Sequence, residues 1–220
     1  MAEHAITIIE CKPIGSGGRY RVEVSAREKA LVVSEELVYR HRLKAGIVIT
    51  PPQLAQLEAE AEIAECDRLA ARLLAMREHS IGQLKLKLAQ RQFRPEVIKD
   101  VVRKYIERGI LDDAHFAHNQ AQQFLANNPA GRHFLINWLR KKHIPHDLAE
   151  QTADILLGEQ DEVALAVVSL ERKWNSLRQF DLEQARTKAY NYLSRRGIGY
   201  AAAKAAFEQL TNRDNEAGNH

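Results

Sequence analysis

The spacing of hydrophobic positions changes at residue 50. Before it, Ile6-Thr7-Ile8-Ile9-Glu10-Cys11 is a short β-branched run, Gly15-Ser16-Gly17-Gly18 is a turn, and Tyr20-Arg21-Val22-Glu23-Val24 alternates with period two. This is the pattern of a β-hairpin. Leu31-Val32-Val33 and Ile47-Val48-Ile49 predict further short strands. Between them, Ser34 can cap a brief helix that ends near Gly46. So small a sheet has limited core and is expected to lean on the chain beyond residue 50.

From Thr50 the period is helical. Thr50-Pro51-Pro52-Gln53 combines an N-cap, prolines in the first turn and a Gln three residues after the cap. Leu54, Leu57, Ala61, Ala64, Leu69, Leu73 and Met76 then form one apolar stripe, with no breaker before His79-Ser80. Ser80-Ile81-Gly82-Gln83 opens a shorter helix carrying Leu84 and Leu88, and Pro95 suits the first turn of a third, with Val97, Ile98, Val101, Val102 and Tyr105.

This arrangement recurs. The anchors Leu84, Leu88, Phe93, Val97, Val101 and Tyr105, shifted by 51 residues, fall on Leu135, Leu139, Ile144, Leu148, Thr152 and Leu156. A further shift of 54 reaches Ala189, Leu193, Ile198, Ala202, Ala206 and Leu210. A longer helix precedes each set, so the expected fold is mainly α: three tandem three-helix repeats in an elongated curved stack, preceded by a small N-terminal β-hairpin or sheet element. The expected divisions are a β-rich element over 1–50, repeats over 51–110, 111–158 and 159–212, and a disordered tail over 213–220.

Composition agrees with a folded helical chain: 45% of the 220 residues are apolar, 28% are charged, and there are only 11 Gly and 6 Pro. No window has 18 uninterrupted apolar residues and the N-terminus lacks the basic and apolar regions of a leader, so no membrane span and a cytoplasmic location are expected. Cys11 and Cys66 have neither disulfide-framework nor zinc spacing. No P-loop, GxGxxG or GxSxG is present, which gives no support to catalysis, and no cofactor is expected. Asp112, His115 and His118 share one side of a helix as the best metal candidate, but Asp112 already has a capping role, and no metal site is assigned.

The net charge of +3 hides an uneven distribution. Between residues 68 and 110, eleven basic side chains stand against four acidic ones. Each repeat also carries basic charge at the end of its middle helix, at Gln90-Arg91, Lys141-Lys142 and Arg195-Arg196. Two readings stay open at this level: cations favoured by the helix macrodipole, or an aligned basic surface for an acidic protein or nucleic acid.

Leu111-Asp112-Asp113-Ala114-His115-Phe116-Ala117 resembles the segment that opens the second repeat of RecX proteins, bacterial regulators of the RecA recombinase. Gly131 with Leu135, Leu139, Lys142 and Ile144 is similar to that family's pattern in the same repeat. Ser80 with Leu84, Leu88 and Phe93 resembles the first repeat, and Leu193-Ser194-Arg195-Arg196-Gly197-Ile198 the third. The likeness covers about residues 66–212. Gln92 and His143 depart from it by standing where the family usually has Gly, and the N-terminal strands occur in only some members.

The resemblance implies a non-enzymatic regulator, here expected to be a monomer, that binds RecA and lies in the groove of the RecA filament on single-stranded DNA. It inhibits ATPase and strand exchange in recombination, DNA repair and the SOS response. The candidate contacts with RecA or DNA are Arg132, Arg140, Lys141, Lys142, Arg195, Arg196 and Trp138, then Lys85, Lys87, Arg91, Arg103 and Lys104. The alternative is a direct binder of single-stranded DNA that competes for the strand. It needs aromatic platforms, for which Phe93, Tyr105, Phe134, Trp138, Trp174, Tyr190 and Tyr192 are available. Most of these sit at core spacing.

Overall fold

The computed structural model describes residues 5–158 and 161–217. Two compact units divide the chain: Met1–His79 with Gln83–Leu111, and Ser80–Gly82 with Asp112–His220. Among the described residues, no helix is long and apolar enough to cross a membrane.

In the first unit, strands β1 (Ile6–Ile14), β2 (Arg19–Val24), β3 (Leu31–Ser34) and β4 (Val48–Ile49) form one antiparallel sheet in the order β3-β2-β1-β4. The hairpin turn uses Gly15 and Gly18 at positive φ, the region a Cβ disfavours. Helix α1 (Glu35–Arg40) starts on Ser34, whose hydroxyl accepts from Leu37 N–H. It stops after six residues, earlier than Gly46, because Arg42 turns left-handed at φ 51°.

Helix α2 (Pro51–Met76) has the expected reciprocal cap between Thr50 and Gln53. Its first half belongs to the sheet: Leu54, Leu57 and Ala61 share one buried cluster with Ile8, Val22, Val24 and Val33. The division expected at residue 50 therefore does not separate two cores, and the sheet leans on α2 as its size demands. Further along, α2 packs on α4 (Pro95–Glu107), and α3 (Ile81–Ala89) contributes Leu84 and Leu88, both fully buried.

The second unit holds two three-helix repeats, α5 (Asp113–Asn127), α6 (Arg132–Lys141) and α7 (His146–Leu157), then α8 (Glu162–Leu177), α9 (Leu182–Ser194) and α10 (Tyr200–Ala217). Each repeat has its own core. The expected anchors are buried, apart from half-buried Phe93, Leu148 and Leu156. Thr152, the one polar anchor, satisfies its hydroxyl on the Leu148 carbonyl at 2.7 Å.

The expected tail is corrected over part of its length. Helix α10 continues to Ala217, held by Asp214 accepting from the Trp174 indole at 2.7 Å and by Arg213 pairing with Glu171 at 3.2 Å. Residues 218–220, and the repeat boundary at 159, lie outside the described residues.

The three middle helices end alike. Gln92, His143 and Gly197 occupy equivalent positions and have φ of 63°, 62° and 72°. In the second unit the closure is a Schellman turn: Ile144 N–H reaches the Leu139 carbonyl at 3.3 Å, and Ile198 N–H the Leu193 carbonyl at 3.1 Å. The family-like glycine is thus replaced at two turns without changing the backbone that glycine would serve.

The last of these turns is clamped. Gly131 N–H donates to the Arg196 carbonyl at 2.8 Å, and a Cβ on Gly131 would lie 2.3 Å from the Gly197 carbonyl oxygen. The same unit repeats the device: Ser80 Oγ donates to the Lys142 carbonyl at 2.7 Å, and a Cβ on Gly82 would meet the His143 Cβ at 2.6 Å. Gly131→Ala is expected to cost about 2 kcal/mol, since a main-chain oxygen must move. Exposed Gln92 bears the left-handed penalty with little packing in return, so Gln92→Gly is expected to gain on the order of 0.5 kcal/mol. Urea unfolding checks both.

A basic depression between the ends of α6 and α9

Helix α6 turns a polar and aromatic stripe outward. His133, Phe134, Asn137, Trp138 and Lys141 from α6, with Ser194, Arg195 and Gly197 from the end of α9, line a shallow depression of about 390 Å³. Among the described residues, no carboxylate lines it. The clamp between Gly131 and the Arg196-Gly197 carbonyls sets the distance between its two walls.

The aromatic side is built from α5 and α6 together. Phe124 stacks on Phe134 with centroids 5.7 Å apart and meets Trp138 at 4.5 Å with the rings tilted by 31°. Lys142 Nζ lies 4.5 Å from the Trp138 centroid and donates to Gln120 Oε1 at 3.0 Å. Trp138 is therefore packed against a ring and a cation and is half-buried. Four further candidate platforms are engaged as well: Tyr105 is buried, Trp174 bonds Asp214, Tyr190 packs edge-on against Tyr200 and Phe207, and Tyr192 carries the Arg196 guanidinium at 4.9 Å; Phe93 is half-buried.

The structure sorts the basic candidates. Arg132 makes two hydrogen bonds to Asp154, of 2.6 and 3.1 Å, joining α6 to α7. Its guanidinium holds the Asp154 carboxyl below the ordinary carboxylate range. Arg196 donates to the Pro129 carbonyl at 2.8 Å. In the first unit, Lys104 pairs with Asp67 at 2.7 Å, and Arg103 with Asp100 and Glu107 at 2.9 and 3.8 Å. Among the described residues, no carboxylate pairs with Lys85, Lys87, Arg91, Arg140, Lys141 or Arg195. Lys141 and Arg195 meet at the depression; Arg140 is exposed on α6 but does not line it.

Four lining residues were absent from the sequence candidates: His133, Asn137, Ser194 and Gly197. The signal for the first two was present, because His133, Asn137 and Lys141 recur at intervals of four on α6. Ser194 had none, since it reaches the site through the fold. Among the described residues, no three His, Cys, Asp or Glu side chains come together to hold a metal ion. Asp112 accepts from Ala114 and His115 N–H at 2.8 and 3.1 Å as the cap of α5, and the His115 ring bonds Asn119.

A family model described as RecX, first three-helix domain, matches residues 68–104. "Regulatory protein RecX" of Pelodictyon phaeoclathratiforme is 33% identical over 141 residues, covering 64% of this chain and 86% of that protein. "Regulatory protein RecX" of Treponema pallidum subsp. pallidum is 37% identical over 109 residues, 50% of this chain and 65% of that protein. Among solved structures, "Crystal structure of regulatory protein RecX" aligns with a TM-score of 0.66 at 16% identity, over 92% of this chain and 99% of the other. RecX from Lactobacillus salivarius aligns with a TM-score of 0.59 at 19% identity, over 68% of this chain and 97% of the other.

Arg196→Ala and Arg132→Ala remove contacts that tie helices together, and each is expected to lower the melting temperature. Lys141→Ala and Arg195→Ala are expected to leave it within about 2 °C, the behaviour of exposed positions. The Asp154 carboxyl should titrate below the usual carboxylate range by NMR and return to it in Arg132→Ala. Because its folded value is depressed, the pair stabilises the protein above the ordinary carboxylate range, and that contribution fades as the pH falls through the lowered value.

Proposed function

The chain belongs to the RecX family of regulatory proteins, and from that premise we propose that it binds the RecA recombinase and its filament on single-stranded DNA, inhibiting ATP hydrolysis and strand exchange. It acts without catalysing a reaction and serves recombination, DNA repair and the SOS response in the cytoplasm. The observation that supports this mode is the depression between α6 and α9, where Lys141 and Arg195 stand without carboxylate partners among the described residues and no acidic side chain offsets them. Such a surface is matched by acidic side chains of a protein groove, and by phosphates that the groove exposes.

Competition for single-stranded DNA is the second reading, and the aromatic wall favours it. That wall is largely committed inward: Phe124 and Lys142 pack on Trp138, leaving little ring face on which a base could stack. Electrostatic attachment to a protein partner needs no free ring face, so the RecA reading is preferred. Lys85, Lys87, Arg91 and Arg140 are further contacts in this proposal, with weak direct DNA contact a secondary consequence of their charge.

The test is RecA ATPase on single-stranded DNA at protein concentrations well below coverage of the DNA. Inhibition is expected there, and the double variant Lys141→Ala/Arg195→Ala is expected to need about tenfold more protein, the equivalent of about 1.4 kcal/mol. Arg103→Ala, already paired within its own helix, should inhibit as the parent does. Inhibition that appears only when the protein covers the DNA overturns the filament reading.

A further inference from the structure

The two repeats of the second unit keep separate cores and meet through polar contacts. Gly131 N–H reaches the Arg196 carbonyl at 2.8 Å, Arg196 reaches the Pro129 carbonyl, and Arg172 of α8 donates to the Asn127 carbonyl at 2.6 Å. Helix α8 puts Ala166, Val167 and Leu170 into its own repeat's cluster. Beside this seam a crevice of about 390 Å³ stays open. Its floor is Leu125 of α5 and Leu157 of α7, and its wall is a second stripe on α8, formed by Ala164, Leu165 and Val168. Val168 is 46% accessible, and Leu125 and Leu165 are half-buried. Apolar surface gathered in a concavity, rather than scattered singly, marks a place of interaction.

One charge of each sign closes the stripe. Asp161 stands at the start of α8 and Arg172 lies 11 residues further on, roughly 16 Å along the axis at the standard helical rise. Among the described residues neither forms an ion pair. Asp161 accepts Val163 N–H at 2.9 Å as the helix cap, and Arg172 meets a neutral carbonyl. Nucleic acid, negative along its whole length, does not match an apolar floor with a carboxylate at one end. A small apolar molecule leaves both end charges unused. A helix lying antiparallel to α8 uses every feature: the acidic residues favoured in its first turn meet Arg172, and the basic residues favoured in its last turn meet Asp161. Apolar side chains at intervals of three and four then cover Ala164, Leu165 and Val168.

We propose that this crevice docks an amphipathic helix of a partner protein, about three turns long, antiparallel to α8, acidic at its start and basic at its end. The apolar face supplies affinity, and the two end charges fix the direction in which the helix lies. This attachment is independent of the depression between α6 and α9.

The probe is a labelled Ala-based peptide of about 16 residues with Leu at intervals of three and four, Glu in its first turn and Lys in its last. Its counterpart exchanges the Glu and Lys ends at equal net charge, and both are held helical by a hydrocarbon link between side chains one turn apart. Fluorescence anisotropy and amide shifts of the full chain read their binding. The first peptide is expected to bind, with shifts over residues 125–129 and 161–172, and the exchanged peptide to bind about fivefold more weakly. Val168→Glu, at an exposed position that keeps the fold, is expected to weaken the first peptide about tenfold. Asp161→Asn, which retains a good cap, is expected to narrow the preference between the two peptides, and Lys141→Ala/Arg195→Ala to bind as the parent does. No binding at millimolar peptide, equal affinity for the exchanged peptide, shifts centred elsewhere, or parental behaviour of either crevice variant overturns the proposal. Concentration-dependent shifts at residues 161–172 in the protein alone overturn it too, because a second copy then fills the crevice.

Discussion

In the second unit, two main chains approach more closely than a side chain allows. Gly131 sits against the carbonyls of Arg196 and Gly197 with a hydrogen bond of 2.8 Å, in space that a Cβ cannot enter. The contact demands glycine on one side and a left-handed turn on the other, and α6 and α9 are placed by it. Ser80 and Gly82 meet Lys142 and His143 in the same manner, a hydroxyl standing where Gly131 uses its N–H. In the third repeat the equivalent position is Ala185, buried within α9, which begins a turn earlier on the Asp181 cap.

That constraint also explains the fate of the paired cations. Successive residues on a helix differ by about 100° in direction, so two adjacent basic residues at a helix end cannot face the same way. Lys142 and Arg196, at the turn, lie inward over Trp138 and Tyr192 and bond Gln120 and Pro129. Lys141 and Arg195, one residue earlier, remain on the open surface. The division is not complete: Lys142 and Arg196 pack on rings at the turn, while Arg195 on the open surface still donates to the Asn191 carbonyl in the last turn of α9 at 3.1 Å.

The first unit obeys a different rule. Its sheet is too small for a core of its own and shares Leu54, Leu57 and Ala61 of α2. A single helix thus gives one half to the sheet and the other to the repeat, where Cys66 and Ala70 are fully buried and burial pushes the Cys66 thiol up to about 11. The composition break at residue 50 marks a change of secondary structure inside one body.

Periodicity was sufficient for the elements. Anchors spaced by three and four, two capping patterns and Pro95 located the helices, because these are local demands of backbone and burial that any packing must meet. The alternation before residue 50 did the same for the strands. Family likeness added that residues 92, 143 and 197 are turn positions, and the backbone there is left-handed even where the residue is Gln or His. Which cations are engaged internally was invisible: Arg132 finds Asp154 across 22 residues and Arg196 finds Pro129 across 67. The continuation of α10 past 212 was hidden for the same reason, since its support comes from Trp174 and Glu171 on another helix. The sequence by itself determined the helices, the repeat and the left-handed turns, which depend on near neighbours; tertiary structure alone decided which charges are engaged inside the fold, because that depends on what the fold brings beside each one.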